Sequence, residues 1–420
     1  MSLSVTKGKR KFDRLVVKFG GTSLTDGSSI SRAADSVIKK AGKGAQMAVV
    51  VSAMGKTTDL LISAAYEACG NAVSADELDD ILAMGERTSA RIFAAAIGAR
   101  GKDSRYIDPC DADWPIVTDN TFNNAKPVPH ACAQIVKTGI KPLLERGVVV
   151  VVPGFIGKTK RGEITTMGRG GSDVTALILA RSLPADQVIL VTDVEGIMSA
   201  DPKIIKAPQK LREIPMDALV GIADSGTKFI HKKALRYTSP HIDIKVISNS
   251  SADLDSEGTL IRGNFPSNIV VEPYPEPVMA VTVVGKLASE SPRTLLEILG
   301  EVGKAGAPIL GMSANHDSLI LYLPINVAET LLESLHSIVV RDERALALAV
   351  RKDLAFVRVK GLGLEETPGI ISSISKALNS VGVNIYGIFT IASSIQMFVD
   401  TKDKEKAIRL IEETVRANAN

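Results

Sequence analysis

Val16-Val17-Lys18-Phe19-Gly20-Gly21-Thr22-Ser23 and, about 150 residues later, Thr165-Thr166-Met167-Gly168-Arg169-Gly170-Gly171-Ser172-Asp173 are the stretches on which the reading of this chain turns. Each sets glycine amides and one or two charges at the exit of an apolar strand, where anionic ligands bind in open α/β sheets. In the first, Leu15-Val16-Val17 is a short β-branched run, and the paired glycines let backbone approach an oxygen-rich ligand with no Cβ in the way. Lys18 supplies a point charge for a phosphate. Downstream, Ile30, Ala33, Ala34, Val37 and Ile38 recur at helical spacing, with Ser28 or Asp26 available as the cap. Strand, glycine loop and helix N-terminus therefore follow in order, although a glycine pair after a strand is also a common tight turn.

The second stretch follows an apolar strand at Val148 to Val152 and the turn Pro153-Gly154, and leads into Val174 to Ala180, a helix that Ser172 or Asp173 could cap. A guanidinium between glycines, one turn from a helix N-terminus, is arranged like a bidentate carboxylate receptor. A third element, Gln187 to Gly196, is a buried-type strand that ends in Thr192 and Asp193, where a nucleotide could be held. A fourth, Ser225-Gly226-Thr227-Lys228, offers a second lysine after a glycine. Either of these two taken singly reads as structural.

Two look-alikes are set aside. Gly55-Lys56-Thr57 suggests a P-loop, but Val50 stands where that motif needs its first glycine. Gly168 to Asp173 lacks the final glycine of the dinucleotide fingerprint, which argues against a nicotinamide enzyme. At 420 residues, 45% hydrophobic and 23% charged, the chain can bury a full core and form two or three domains. A net charge of +3 and 4% aromatics indicate neither a nucleic-acid groove nor a base-stacking platform. Three cysteines without Cys-x-x-Cys spacing and five scattered histidines argue against a disulfide framework or a metal cluster. With no signal peptide and no membrane-length apolar run in view, the expected location is the cytoplasm.

From about residue 14 to 262, apolar strands alternate with amphipathic segments, which predicts a three-layer α/β/α domain on a mainly parallel sheet. The proline-rich stretch from Arg262 to Pro277 marks a boundary. Beyond it lies an internal repeat. Val281 to Gly285 aligns with Val357 to Gly361, and the same 76-residue offset carries Pro292 onto Pro368, Gly306 onto Gly382, Ile309 onto Ile385, Gly311 onto Gly387 and Ser318 onto Ser394. Each copy reads as a ferredoxin-like βαββαβ unit, expected over 278–345 and 354–418. Such a unit leaves a sheet edge open to pairing.

These elements in this order resemble aspartokinases, members of the amino acid kinase family. The resemblance rests on Lys18 to Ser23, Gly168 to Asp173 and Thr192 to Gly196, with Ser52 to Asp59 and Met84 to Ala90 similar to the family's substrate-binding motifs. It implies transfer of the ATP γ-phosphoryl group to the side-chain carboxylate of L-aspartate, with Mg²⁺ on the phosphates and no protein metal site. That chemistry needs no strong base, because the nucleophile is ionised at neutral pH, so catalysis is positioning plus positive charge. The implied catalytic residues are Lys18, Arg169, Asp173 and Lys228. Nucleotide contacts fall to Lys18, Gly20, Gly21, Thr192, Asp193, Met198, Lys203 and Lys228. Substrate contacts fall to Ser23, Thr58, Glu86, Arg169, Gly170, Gly171, Ser172 and Asp173. A surface salt bridge to Arg87 and Arg91 is the alternative role for Glu86.

The repeat resembles the tandem ACT domains by which aspartokinases sense amino acids, one unit inserted within the other, so that a strand from 263–277 completes the distal unit. It implies a homodimer joined through ACT sheets and lysine or threonine as effector. Departures are Met198 for the family's tyrosine, Lys203 for its arginine, and Ser291-Pro292-Arg293 where the distal copy keeps Thr367-Pro368-Gly369. Arg293 either obstructs an effector or grips its carboxylate. Two other readings stay open: a sibling kinase acting on another acyl or carbamoyl anion, and a catalytically silent amino-acid-binding regulator.

Overall fold

The structure is a computed structural model that describes residues 13–418, apart from 202–203, 225–229, 252, 264–268, 287–291, 328, 363, 365–367 and 392. The predicted roles of Lys203 and Lys228 fall outside the described residues, as do Ser291 and Thr367. The chain divides into two units, residues 1–267 and 268–420. Among the described residues no helix is long and apolar enough to cross a membrane.

In the first unit, β1 (Arg14–Phe19), α1 (Gly27–Gly42), β2 (Gln46–Val51), α2 (Thr57–Cys69), α3 (Ala75–Gly98) and β3 (Ser104–Tyr106) come first. The segment expected as one helix near 133–146 is instead α4 (Pro129–Ile135), a π-turn (Val136–Ile140) and α5 (Lys141–Glu145). Pro142 explains the break, since it has no N–H for a regular turn and the widened turn precedes it. Then follow β4 (Val149–Pro153), the hairpin β5 (Ile156–Lys158) and β6 (Ile164–Thr166), α6 (Gly171–Ser182), β7 (Gln187–Thr192), β8 (Glu213–Pro215), α7 (Met216–Asp224), α8 (Lys232–Leu235), β9 (Asp243–Ser248) and β10 (Thr259–Arg262).

Eight strands form one sheet in the order β3-β4-β2-β1-β7-β9-β10-β8, parallel except where β10 meets β9. β1 sits centrally because both its faces are apolar: Leu15, Val17 and Phe19 enter a core with Ile30, Ala34 and Val37 of α1 and Phe93 and Ile97 of α3. α6 packs on the other face of β1 and β2. Each buried aliphatic of this kind contributes about 1.5–3 kcal/mol relative to exposure. The alternation leaves Lys18 on the α6 face, at the carboxyl end of the strand.

The second unit contains β11 (Val270–Pro273), β12 (Val278–Gly285), α9 (Pro292–Lys304), β13 (Gly311–Ala314), β14 (Ser318–Pro324), α10 (Glu329–Arg341), β15 (Ala345–Lys360), α11 (Ile370–Asn379), β16 (Gly387–Ile391), β17 (Ser394–Asp400) and α12 (Lys404–Asn418). β13 and β14 map onto β16 and β17 at the 76-residue offset with matching first residues. The 16-residue β15 closes one copy and opens the other: its first part pairs with β12, its last part with β17 and β11. β11, which precedes the proximal copy in the chain, thus lies beside the distal one. The helix-covered faces carry two separate aliphatic cores. The helix-free faces meet at an aromatic cluster in which Tyr322 stacks on its repeat equivalent Phe398, centroids 3.8 Å apart. Tyr322 Oη donates to the Tyr386 carbonyl at 2.7 Å.

Candidate active site

Four chain segments converge at the carboxyl ends of β1 and β2. Lys18 Nζ lies 2.7 Å from Asp173 Oδ1, with the two side chains 16% and 11% exposed. Asp173 stands in the first turn of α6, where the partial positive charge of a helix N-terminus favours an anion. The sequence offered Ser172 or Asp173 as the cap of that helix. The N-cap is Gly170 instead, at φ +75° and with no side-chain cap, so both residues are turned inward to other partners. A Cβ on Gly170 would come within 2.2 Å of His231 Cβ, so glycine is required by space as well as by its left-handed backbone. Asp173 Oδ2 accepts a long 3.4 Å bond from the His231 N–H, and Ser52 Oγ donates to Ser172 Oγ at 2.9 Å.

Glu86 reaches the same place from α3. It is 4% exposed, and its Oε1 accepts the Ala53 N–H at 3.0 Å. Gly85 permits this: a Cβ there would stand 3.0 Å from that of Ala53, so the helix can lie against the 53–55 turn. Glu86 Oε2 is buried without a hydrogen-bond partner among the described residues. Burial pushes the Glu86 carboxyl up to about 7, opposed in part by the Ala53 N–H. An unsatisfied buried carboxylate oxygen is costly unless a ligand supplies its partner. The alternative salt bridge is not made: Arg87 and Arg91 both bind Asp108, at 3.0 and 2.8 Å.

The remaining positions divide. Arg169 is exposed, with no ion pair or hydrogen bond to another described residue, while Thr58 is half-buried in the first turn of α2. Ser23 is buried, and its hydroxyl donates to the Val191 carbonyl at 3.2 Å. The Gly20 N–H also points at that carbonyl, 3.3 Å away. Both bonds tie the glycine loop to the end of β7, so of this pair only Gly21 keeps an amide unclaimed by another described residue. Thr192 Oγ1 donates to Asp193 Oδ1 at 3.1 Å, and Asp193 is exposed. Met198 forms a bridge with Lys210 across the loop that follows. Ser52, quoted in its motif but given no role, is a residue that the sequence reading passed over. A cavity of about 280 Å³ opens against α1, lined by Thr22 and Ser23 of the glycine loop together with Phe19, Ser29, Arg32 and Leu254.

The amino acid kinase family model matches residues 13–248, and an ACT domain model matches residues 349–413. The aspartokinase of Geobacillus stearothermophilus is 30% identical over 404 residues, covering 95% of this chain and 96% of the relative. The chain belongs to the aspartokinase family. Aspartokinase 2 of Bacillus subtilis is likewise 30% identical, over 94% of this chain and 95% of that protein. Among solved structures, the aspartate kinase of Synechocystis superposes with a TM-score of 0.77 at 24% identity, over 96% of this chain and 69% of that one. E. coli aspartokinase III in complex with aspartate and ADP superposes at 0.55 and 23%, over 96% and 100%. In the family's fold, then, Lys18, Glu86, Ser172 and Asp173 gather at one sheet end.

Proposed function

We propose that this chain transfers the γ-phosphoryl group of ATP to the side-chain carboxylate of L-aspartate, giving 4-phospho-L-aspartate and ADP, the first step toward lysine, threonine and methionine. The observation that carries the reading is Glu86 Oε2, a buried acceptor without a partner among the described residues that an α-ammonium would satisfy. The exposed guanidinium of Arg169, which has no ion pair among the described residues, would clamp a substrate carboxylate in bidentate fashion. Relatives named aspartokinase, at 30% identity over nearly the whole chain, support the same choice.

The nucleotide's phosphates fit beside Lys18. The backbone there is bare, since a Cβ on Gly21 would meet the Ala53 carbonyl at 3.0 Å, and the lysine brings positive charge. Asp173 orients Lys18 until a phosphate shares it. Mg²⁺ would ride on the phosphates and neutralise charge there. The aspartate carboxylate oxygen attacks the γ-phosphorus in line, the bond to the β-phosphate oxygen breaks, and ADP leaves with that electron pair. Thr192, Asp193, Met198, Lys203 and Lys228 are assigned to the nucleotide, and Thr58 and Ser172 to aspartate.

The ACT region is assigned to an amino-acid effector, lysine or threonine, and to a homodimer formed through its sheet edges. E. coli aspartokinase III has been solved with lysine and aspartate. Arg293 is 92% exposed and lies 3.4 Å from Glu297 on its own helix. Three free thiols suit a reducing cytoplasm. ATP-dependent hydroxamate formation tests the activity, with L-aspartate, L-glutamate, N-acetyl-L-glutamate and no acceptor in parallel. Product with aspartate alone is expected; product with another acid, or nucleotide binding without product, would favour the sibling kinase or the silent regulator.

A further inference from the structure

Asp79 is fully buried in α3, yet none of the roles above uses it. Its carboxylate accepts from the Thr166 N–H at 2.8 Å, the Thr166 hydroxyl at 2.5 Å and the Asn123 N–H at 2.9 Å. Burial raises its pKa, and these three bonds oppose the rise. On the other side of the same loop, Lys233 Nζ donates to the Met167 carbonyl and, at 3.2 Å, to Asn124 Oδ1. The anion takes the N–H groups of residues 123 and 166 and the cation takes acceptors of residues 124 and 167. Asn123 adopts a left-handed backbone, φ +63°, and a Cβ on Gly168 would stand 2.9 Å from the Asn123 carbonyl, so the two loops are held at closest approach.

We propose that Asp79 and Lys233 are positioning residues, a pair of opposite charges that clamps residues 165–168 onto residues 123–124 and so sets where Arg169 meets the substrate. The proposal rests on the assignment of Arg169 to the aspartate carboxylate. Asp79 precedes Glu86 by two helical turns, so both lie on one face of α3. A single helix thus fixes the ammonium acceptor and, through Thr166, the loop that carries the carboxylate receptor.

Steady-state kinetics and amide hydrogen exchange on Asp79→Asn, Thr166→Val and Lys233→Met test this. Misplacing a receptor by about 1 Å costs on the order of a hundredfold, so the KM for aspartate is expected to rise roughly tenfold to a hundredfold in Asp79→Asn and less in Thr166→Val. The KM for ATP should stay within about threefold of wild type. Exchange should quicken across residues 164–172 and 120–126, and discrimination against glutamate should fall. Folded variants with unchanged aspartate KM and unchanged exchange would overturn the proposal. So would equal increases in both KM values, which indicate general loosening. If Asp79→Asn does not fold, the other two variants decide by the same readouts. If the wild type shows no transfer to aspartate, the functional reading fails, and exchange in these loops still decides whether the clamp exists.

Discussion

Replacing Glu86 by glutamine separates ligand recognition from fold stability at one atom. The amide oxygen of Glu86→Gln can still accept the Ala53 N–H, so the changes are the charge and the chemistry at Oε2. Removing one member of a buried charge pair costs about 2–5 kcal/mol of binding, so aspartate should bind more weakly by a factor of roughly 30 to several thousand. Stability should move the other way. The folded-state pKa is raised from 4.5 to about 7, so between those values the folded protein holds more protons than the unfolded chain and loses stability as pH rises. The ionised carboxylate costs the fold about 3 kcal/mol at pH 8 and about 1 kcal/mol at pH 5. Glu86→Gln should therefore raise the urea midpoint of the ligand-free protein, more at pH 8 than at pH 5, while titration calorimetry shows aspartate binding weakened. In the wild type, kcat/KM for aspartate should climb about tenfold per pH unit below 7 and flatten above it. An aspartate affinity within about threefold of wild type in Glu86→Gln would refute the assignment.

Three further substitutions probe other parts of the account. Lys18→Ala should lower kcat by about a hundredfold to a thousandfold with ATP and aspartate saturating, and unchanged turnover would remove Lys18 from phosphoryl transfer. Arg169→Lys keeps the charge but loses the fork, so the KM for aspartate should rise roughly tenfold while that for ATP stays near wild type; parallel changes would place Arg169 elsewhere. Phe398→Ala removes a fully buried ring stacked on Tyr322 and should cost the ACT unit about 3–5 kcal/mol in urea unfolding; a loss under about 1 kcal/mol would mean that the aromatic cluster does not hold the two copies together.

What could be read beforehand was local and periodic. The alternation of β1 puts Lys18 opposite Val17 and Phe19, and the ungapped offset foretells paired strands down to their first residues. What could not be read depends on contacts across long stretches of chain. The cap of α6 falls to Gly170 because His231, 61 residues later, fills the space beside it. Ser23 is drawn to the Val191 carbonyl, and Asp79 binds backbone N–H groups 44 and 87 residues away, where side-chain type leaves no trace in the sequence. The three-residue strands of the β5–β6 hairpin are too short to show a period. β15 serves two copies at once, which a repeat aligned copy by copy conceals.

The most direct test asks which carboxylate receives the phosphoryl group. The purified protein is incubated with ATP, Mg²⁺ and L-aspartate, and the acyl phosphate is reduced in place with borohydride. Transfer to the side-chain carboxylate yields homoserine, which the account predicts as the product, in amounts matching ADP released. Formation of 3-amino-4-hydroxybutanoate, or ADP release without either alcohol, would contradict it.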